Sequence, residues 1–323
     1  MWRKISAVVI PTVIAVGILA YMLWRVWDDL VMTIASADPL YLAAAVVVCT
    51  AAWFLRGWRY RAVLGGLTVR VGLIFSTACI FLSQTANLIV PARLGDLVRL
   101  FILKHERLAT YSQGFSSIVV ERVFDVVTVA VLGLIALPFV LDVPDWFLPL
   151  IAVPIIGGIA FALFLWFVGD RHSENRILAV VYRMLAEIRA ASLNLQAVLV
   201  LGASSIAIWL VDIAVCAIVV LMFGEWIPFP IIVLAVVVGN LVKAVPITPG
   251  GVGTYEFALA VTFELAGMAP ATATVIAVID HLIKNGVTLV GGIASLYYFG
   301  DWSVSLMKRS FSEGLSREEL REP

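Results

Sequence analysis

The chain has 323 residues, with 22 basic and 22 acidic side chains and a formal net charge of zero. It is 62% hydrophobic and only 14% charged, and its mean hydropathy of +1.05 is far above that of a soluble domain. That composition excludes a soluble protein and gives no basic surplus for a nucleic-acid partner; it points to a polytopic, all-α integral membrane protein.

Charge-free runs lie at 5–24, 39–55, 71–92, 126–141, 146–169, 195–224 (interrupted by Asp212), 226–242 and 285–300. Several reach the roughly 20 residues a helix needs to cross a bilayer. The first follows Met1-Trp2-Arg3-Lys4, as in a secretory leader, but it is too long and no small-residue cleavage site follows, so a retained helix is expected. Cys49, Cys79 and Cys216 sit in apolar runs and imply neither a disulfide framework nor a metal site. His105 and His172 lie in polar connectors without ligand spacing. No metal or cofactor is expected.

Basic residues cluster in connectors 56–70, 93–107 and 170–194 and in the tail, whereas 142–145, 224–229 and 265–270 have none. The positive-inside rule then puts both termini in the cytoplasm. Run 71–92 has basic connectors on both sides, and 226–265 has none on either side. The two stretches are therefore expected as re-entrant hairpins entering from opposite faces. Six spans remain, at 5–24, 39–55, 118–141, 146–169, 195–224 and 271–299, and the whole reads as an inverted-topology repeat within a membrane domain of residues 1–300. The competing reading is that 71–92 simply spans. Residues 93–107 and 176–192 alternate charged and apolar positions and are expected to lie in the membrane interface. The segment 301–323 is a polar cytoplasmic tail.

Each proposed hairpin is broken by proline and glycine and followed by acids. The first carries Asn87, Pro91, Arg93, Gly95, Asp96 and Arg99; the second Asn240, Lys243, Pro246, Pro249, Gly250, Gly251, Gly253 and Glu256. Broken backbone at membrane depth is tolerated where it is buried in protein or lines a cavity, and paired breaks in two halves point to a binding site. Glu121, Arg122, Asp125, Asp212, Asp280, His281 and Lys284 interrupt other apolar helices. Each costs roughly 2.5–3.5 kcal/mol at the bilayer centre and needs a partner or a cavity. Arg122 with Asp125 and Asp280 with Lys284 are at helical spacing for a shared face. Glu121, Asp212 and Glu256 have no local partner; Arg93 with Glu121 and Lys243 with Asp280 are candidate pairs between elements. Asp212 is either functional or a protonated structural residue.

The motifs Asn87…Pro91-x-Arg93-x-Gly95-Asp96…Arg99, Glu121-Arg122-x-x-Asp125 and Pro246-x-x-Pro249-Gly250-Gly251-x-Gly253-x-x-Glu256 resemble the flippase-like, lysylphosphatidylglycerol-synthase transmembrane family. The resemblance implies a prokaryotic cell (inner) membrane. In the multiple peptide resistance factor that domain is joined to a cytosolic aminoacyl-transferase and moves aminoacylated phosphatidylglycerol across the bilayer. This chain ends soon after its last span, so lysylphosphatidylglycerol synthesis is not expected. Asp96 stands where the family pattern implies Glu, and the resemblance extends to relatives linked to other lipids, such as glycosylated polyprenyl carriers and hopanoids.

A lipid flippase is therefore expected, with Arg93, Lys243 and the hairpin N–H groups receiving phosphate, and Glu121, Asp125, Glu256 and Asp280 balancing charge or coupling to protons. The rival is a non-transporting partner that presents a lipid-linked substrate to a glycosyltransferase or synthase. An intramembrane enzyme using Asp212, Asp280 or His281 is the third reading, but no Ser/His pair or metal spacing supports it. The partner is a membrane lipid, with a lipid-modifying enzyme as a further candidate.

Overall fold

The computed structural model describes residues 2–300 and 302, except 107, 141–143, 169–170, 172 and 246; residues 2–8, 91 and 92 are described by backbone alone. Arg107, His172, Pro246 and the tail 301–323 apart from Trp302 thus lie outside the described residues. Among those described, there are twelve α-helices and no strand. They are α1 (Trp2–Arg25), α2 (Trp27–Ala35), α3 (Pro39–Gly66), α4 (Leu73–Ile89), α5 (Val98–His105), α6 (Tyr111–Ala136), α7 (Phe147–Val168), α8 (Arg176–Ser192), α9 (Leu195–Met222), α10 (Phe229–Ala244), α11 (Thr254–Leu265) and α12 (Pro270–Phe299).

Four helices, α3, α7, α9 and α12, are long and apolar enough to cross a membrane, and α1 with α2 makes a fifth candidate bent by 82°. The chain is an all-α, multi-pass membrane protein. Helix α6, expected as a further span, is 26 residues long and carries Glu121, Arg122 and Asp125 near its middle.

Local chemistry fixes where these helices start. Asp38 accepts from Leu40 N ahead of Pro39 at the first turn of α3, and Asn194 accepts from Ala197 N at 2.7 Å to cap α9. Thr110 and Gln113 cap α6 reciprocally, at 3.2 and 3.0 Å. Prolines decide where two helices stop. Val90, before Pro91, is extended (φ −96°, ψ 123°) and ends α4. Val245, also before a proline in the chain, ends α10 at φ −79°, ψ 112°. A following proline disfavours the helical conformation at both positions.

The element order repeats. Helices α3 and α9 are both 28 residues long, and each is followed by a short helix, a 3-10 turn, another short helix and a long one. The first turn is Pro91–Leu97 between α4 and α5; the second is Pro249–Gly251 between α10 and α11. Helices α3, α4 and α5 begin at 39, 73 and 98, and α9, α10 and α11 begin at 195, 229 and 254, a constant offset of 156 residues, which is also the separation of the ion-paired Arg56 and Asp212.

The first broken pair differs from the sequence expectation. Most of 71–92 is one helix, α4, and its returning arm is α5. Segment 93–107 is not an interfacial helix: Arg99 is 1% exposed, and Asp96, Val98, Ile102 and Leu103 are buried. Two of the charges that made it look like a surface helix, Asp96 and Arg99, are paired inside the bundle. Helix α8 does have an exposed apolar face, with Ile177, Leu178, Val180 and Val181 outward.

Each broken pair is wrapped by its own apolar core. Helix α10 contributes Ile232 to Val237 to one core, with Val215, Val219, Leu259 and Phe263 around it. Helix α4 contributes Ala78 to Leu82 to the other, with Val63, Leu64, Ile102 and Leu103. A helix buried on all sides has no amphipathic stripe, and the eight consecutive buried positions 232–239 of α10 fit that description. Helix α7 is the opposite case: apolar, yet with only Phe147, Ile151 and Leu165 buried. Its remaining surface suits contact with lipid chains.

Candidate functional site

The two 3-10 turns pack against each other between the two cores. Gly250, at φ +62°, is pressed so close to α4 that a Cβ there would stand 2.9 Å from Leu88; only glycine satisfies both the dihedral and the approach. Gly95 is similarly constrained, since a Cβ would lie 2.4 Å from the Asn87 backbone nitrogen.

Beside this contact lies a cavity of about 170 Å³. Of the residues singled out in the sequence, Asn87, Arg93, Arg99, Glu121, Arg122 and Asp125 line it from the first half. Asn240, Lys243, Gly250, Gly251 and Lys284 line it from the second. Asp96, Glu256 and Asp280 stand behind the wall, bonded to residues that face the cavity. Gly95 and Pro249 belong to the turns, Gly253 opens α11, and of Pro91 only the backbone, at the start of the first turn, is described.

The buried charges form two connected networks. In the first, Arg99 pairs with Glu121, and Arg122 reaches Asp96 at 2.9 Å. Asp96 also accepts from Asn87 Nδ2 at 2.9 Å and Ser83 Oγ at 3.2 Å. Arg59 binds Asp125 and, at 2.9 Å, Ser205. In the second, Asp212 joins Arg56 at 2.9 Å and Lys284 at 3.5 Å. Lys284 also holds Asp280 at 2.9 Å, to which Tyr255 Oη donates at 2.7 Å. Lys243 Nζ lies 3.0 Å from His281 Nε2, and His281 Nδ1 lies 2.7 Å from Glu256. An ammonium has only donors, so Nε2 accepts and Nδ1 carries the proton given to Glu256. Glu256 completes the chain by accepting from Gly253 N at 2.8 Å.

These partners bear out the expected helical pair Asp280–Lys284 and correct the two pairs expected between elements. Glu121 is held by Arg99 and Arg59 rather than Arg93, and Asp280 by Lys284 and Tyr255 rather than Lys243. Asp212 has two cationic partners and is a network member. Arg56 and Arg59, which read as connector charges, belong to α3 and line the cavity; Arg59 is 4% exposed. The helix continues to Gly66 instead of ending at 55. Their signal was available: Trp53 and Arg56 are one turn apart on an otherwise apolar helix, and Arg59 one turn further.

The cavity wall carries seven Lys and Arg side chains against three carboxylates, those of Glu121, Asp125 and Asp212. Among the described residues, Arg93 and Lys243 have no carboxylate at ion-pair distance; the hydrogen-bond partner of Lys243 is the neutral ring of His281. Arg93 sits at φ +54°, an uncommon backbone conformation for a non-glycine residue, at the junction of the turns. Cys49 and the other two cysteines are free and buried, and among the described residues no group of three or more His, Cys, Asp or Glu is placed to hold a metal ion. The arrangement is suited to receiving an anion in a low-dielectric setting, where unpaired cations are costly.

An apolar bundle with an internal ionic cavity at the meeting of two broken helix pairs defines a membrane protein with a polar site inside its membrane domain. The chain belongs to the family described as the lysylphosphatidylglycerol synthase TM region, whose model matches residues 8–292. It is 35% identical to "Glycosyltransferase AglD" of Haloferax volcanii over 83% of this chain and 50% of that protein; the chain thus spans about half the length of this curated relative. It is 26% identical to a "UPF0104 membrane protein" of Methanothermobacter thermautotrophicus, covering 82% of this chain and 87% of the relative. A "UPF0104 membrane protein MJ1078" of Methanocaldococcus jannaschii is 26% identical over 64% of this chain and 91% of its own length. No solved structure matches the chain.

Proposed function

We propose that the protein is a lipid flippase or transporter that moves a polar or charged lipid headgroup across the cell membrane through this cavity, the acyl chains staying in the bilayer. The observation that carries the reading is the pair of unpaired cations, Arg93 and Lys243, one from each half, at the contact of the two turns. A phosphate would complete their charge. Asn87, Asn240 and the backbone around Gly250 and Gly251 supply neutral polar groups nearby, while Asp96, Arg99, Glu121, Arg122, Asp125, Glu256, Asp280 and Lys284 hold the wall. In this reading the broken pairs are re-entrant hairpins inserted from opposite faces of the inner membrane, with both termini cytoplasmic, and the carboxylates hold cations rather than perform a reaction. Family membership supports a lipid-handling role in general.

The half-length match to a protein named a glycosyltransferase favours one alternative: a membrane domain that binds a lipid-linked substrate and presents it to such an enzyme without moving it. Vesicles reconstituted with the protein separate the two. Headgroup translocation above that of protein-free vesicles, for at least one lipid of a panel, is the expected outcome; binding without translocation across the panel would support presentation instead.

A further inference from the structure

Helices α3 and α9 are equivalent in the repeated order, and they pack against each other closely. At the 156-residue offset, Trp53 of α3 corresponds to Trp209 of α9, and Arg56 to Asp212. Arg56 and Asp212 bond to each other at 2.9 Å, so the equivalent faces of the two helices meet. One turn before the ion pair, each helix brings its tryptophan to the cavity wall: both Trp53 and Trp209 line it. Both indole Nε1–H groups are buried, and neither has an acceptor among the described residues.

Unpartnered buried donors are uncommon because each gives up water without replacement. Two at equivalent positions on the wall of one cavity suggest a shared cause. Trp53 is 6% exposed and held by stacking on Phe81, with ring centroids 4.3 Å apart, and by the Arg56 guanidinium 5.2 Å from its ring centroid. An indole N–H is a donor only, so the two N–H edges select oxygen acceptors and repel an ammonium group, which could meet only the ring faces.

We propose that Trp53 and Trp209 are ligand-binding residues that donate one hydrogen bond each to oxygen acceptors of the bound group, as in a phosphodiester with two free oxygens. The assignment rests on the cavity being a headgroup site. It adds a specificity element: phosphate oxygens lie toward α3 and α9, and any amine of the headgroup points away from them.

The test is binding of dioctanoyl phosphatidylglycerol and, separately, inorganic phosphate to the full chain in detergent, by a method that does not use tryptophan emission. Trp53→Phe and Trp209→Phe keep an aromatic ring and remove the donor together with part of the indole's volume. Each is expected to weaken binding by about 10-fold in protein that remains folded, its thermal midpoint without ligand lowered by the lost ring volume alone, while Trp226→Phe, at a 91% exposed position, leaves binding intact. Separately, tryptophan emission of the wild type should shift on adding ligand, and that shift should shrink in both variants. The weakening confined to the lipid would make a lipid headgroup the ligand; weakening of phosphate binding too would extend the site to a free anion. Wild-type binding with equal affinity in both variants would overturn this inference and leave the cavity reading standing. If neither probe bound the wild type, both would be overturned.

Discussion

Asp212 is buried in the middle of α9, and its carboxylate is shared between Arg56 and Lys284. The two cations are not equivalent in what they would leave behind. Asp212→Asn removes the partner of both, although Lys284 keeps Asp280; Arg56→Gln removes one cation while Asp212 keeps Lys284. Breaking a buried pair so that a charge is stranded costs about 3–5 kcal/mol. Asp212→Asn is expected to approach that figure and Arg56→Gln to fall well short of it, read by unfolding midpoints in detergent. Equal losses would mean that Lys284 does not share the load. Of these pairings only the helical one, Asp280 with Lys284, was legible in the sequence. The presence of costly charges was legible too, because a bilayer makes every buried charge conspicuous. Their partners lie 156 residues apart for Arg56 and Asp212 and 66 for Arg59 and Asp125, so helix packing decides them. That is why Glu121 was expected opposite Arg93 and is found with Arg99.

At the scale of the element, helix existence followed from the apolar runs and the breaks in the two hairpins from proline and glycine, while the capping roles of Asp38, Thr110 and Asn194 emerge only in the structure. The failure at α3 has a physical cause. A charge normally ends a membrane span, but Arg56 and Arg59 point into an ionic cavity, and the helix runs on past them to Gly66. The same cause misassigned 93–107, where Asp96 and Arg99 belong to the cavity's networks and not to a surface. Because cavity charges were counted as connector charges, the positive-inside argument drew partly on residues of the site. The turn chemistry itself offers a sharp comparison. Gly224 and Gly250 share a left-handed φ, +69° and +62°, but a Cβ at Gly224 meets nothing within 4 Å, whereas at Gly250 it meets Leu88 at 2.9 Å. Alanine at Gly224 should cost roughly 1–2 kcal/mol for the dihedral alone. Alanine at Gly250 should cost more, by up to the roughly 1–3 kcal/mol of an overpacked contact to the extent that the Leu88 side chain cannot shift, and should also lower activity by moving the second turn away from α4. Equal stability losses at the two sites would remove the close approach from the account.

For the whole molecule, the repeated order of elements was visible as two broken segments with acids beyond them, yet the constant 156-residue offset is found only once helix boundaries are known. The proposal that the halves insert from opposite faces makes a direct labelling prediction. Cysteines placed at the exposed positions Arg70, Asp145 and Ala269, in a background lacking the three natural ones, are expected to react from the cytoplasmic side at 70 and from outside at 145 and 269. Labelling of 70 and 145 from one face would contradict that arrangement.

The central claim is that two unpaired cations, one from each half, receive a headgroup on its way across. It is tested most directly by the rate at which a headgroup-labelled phospholipid becomes protected from a membrane-impermeant quencher in reconstituted vesicles. Wild-type protein should exceed protein-free vesicles, and Arg93→Gln and Lys243→Gln should each slow the process by at least about 10-fold, the scale of one charge-assisted hydrogen bond, with Trp226→Phe unchanged. Full transport in folded Lys243→Gln and Arg93→Gln variants would contradict the account.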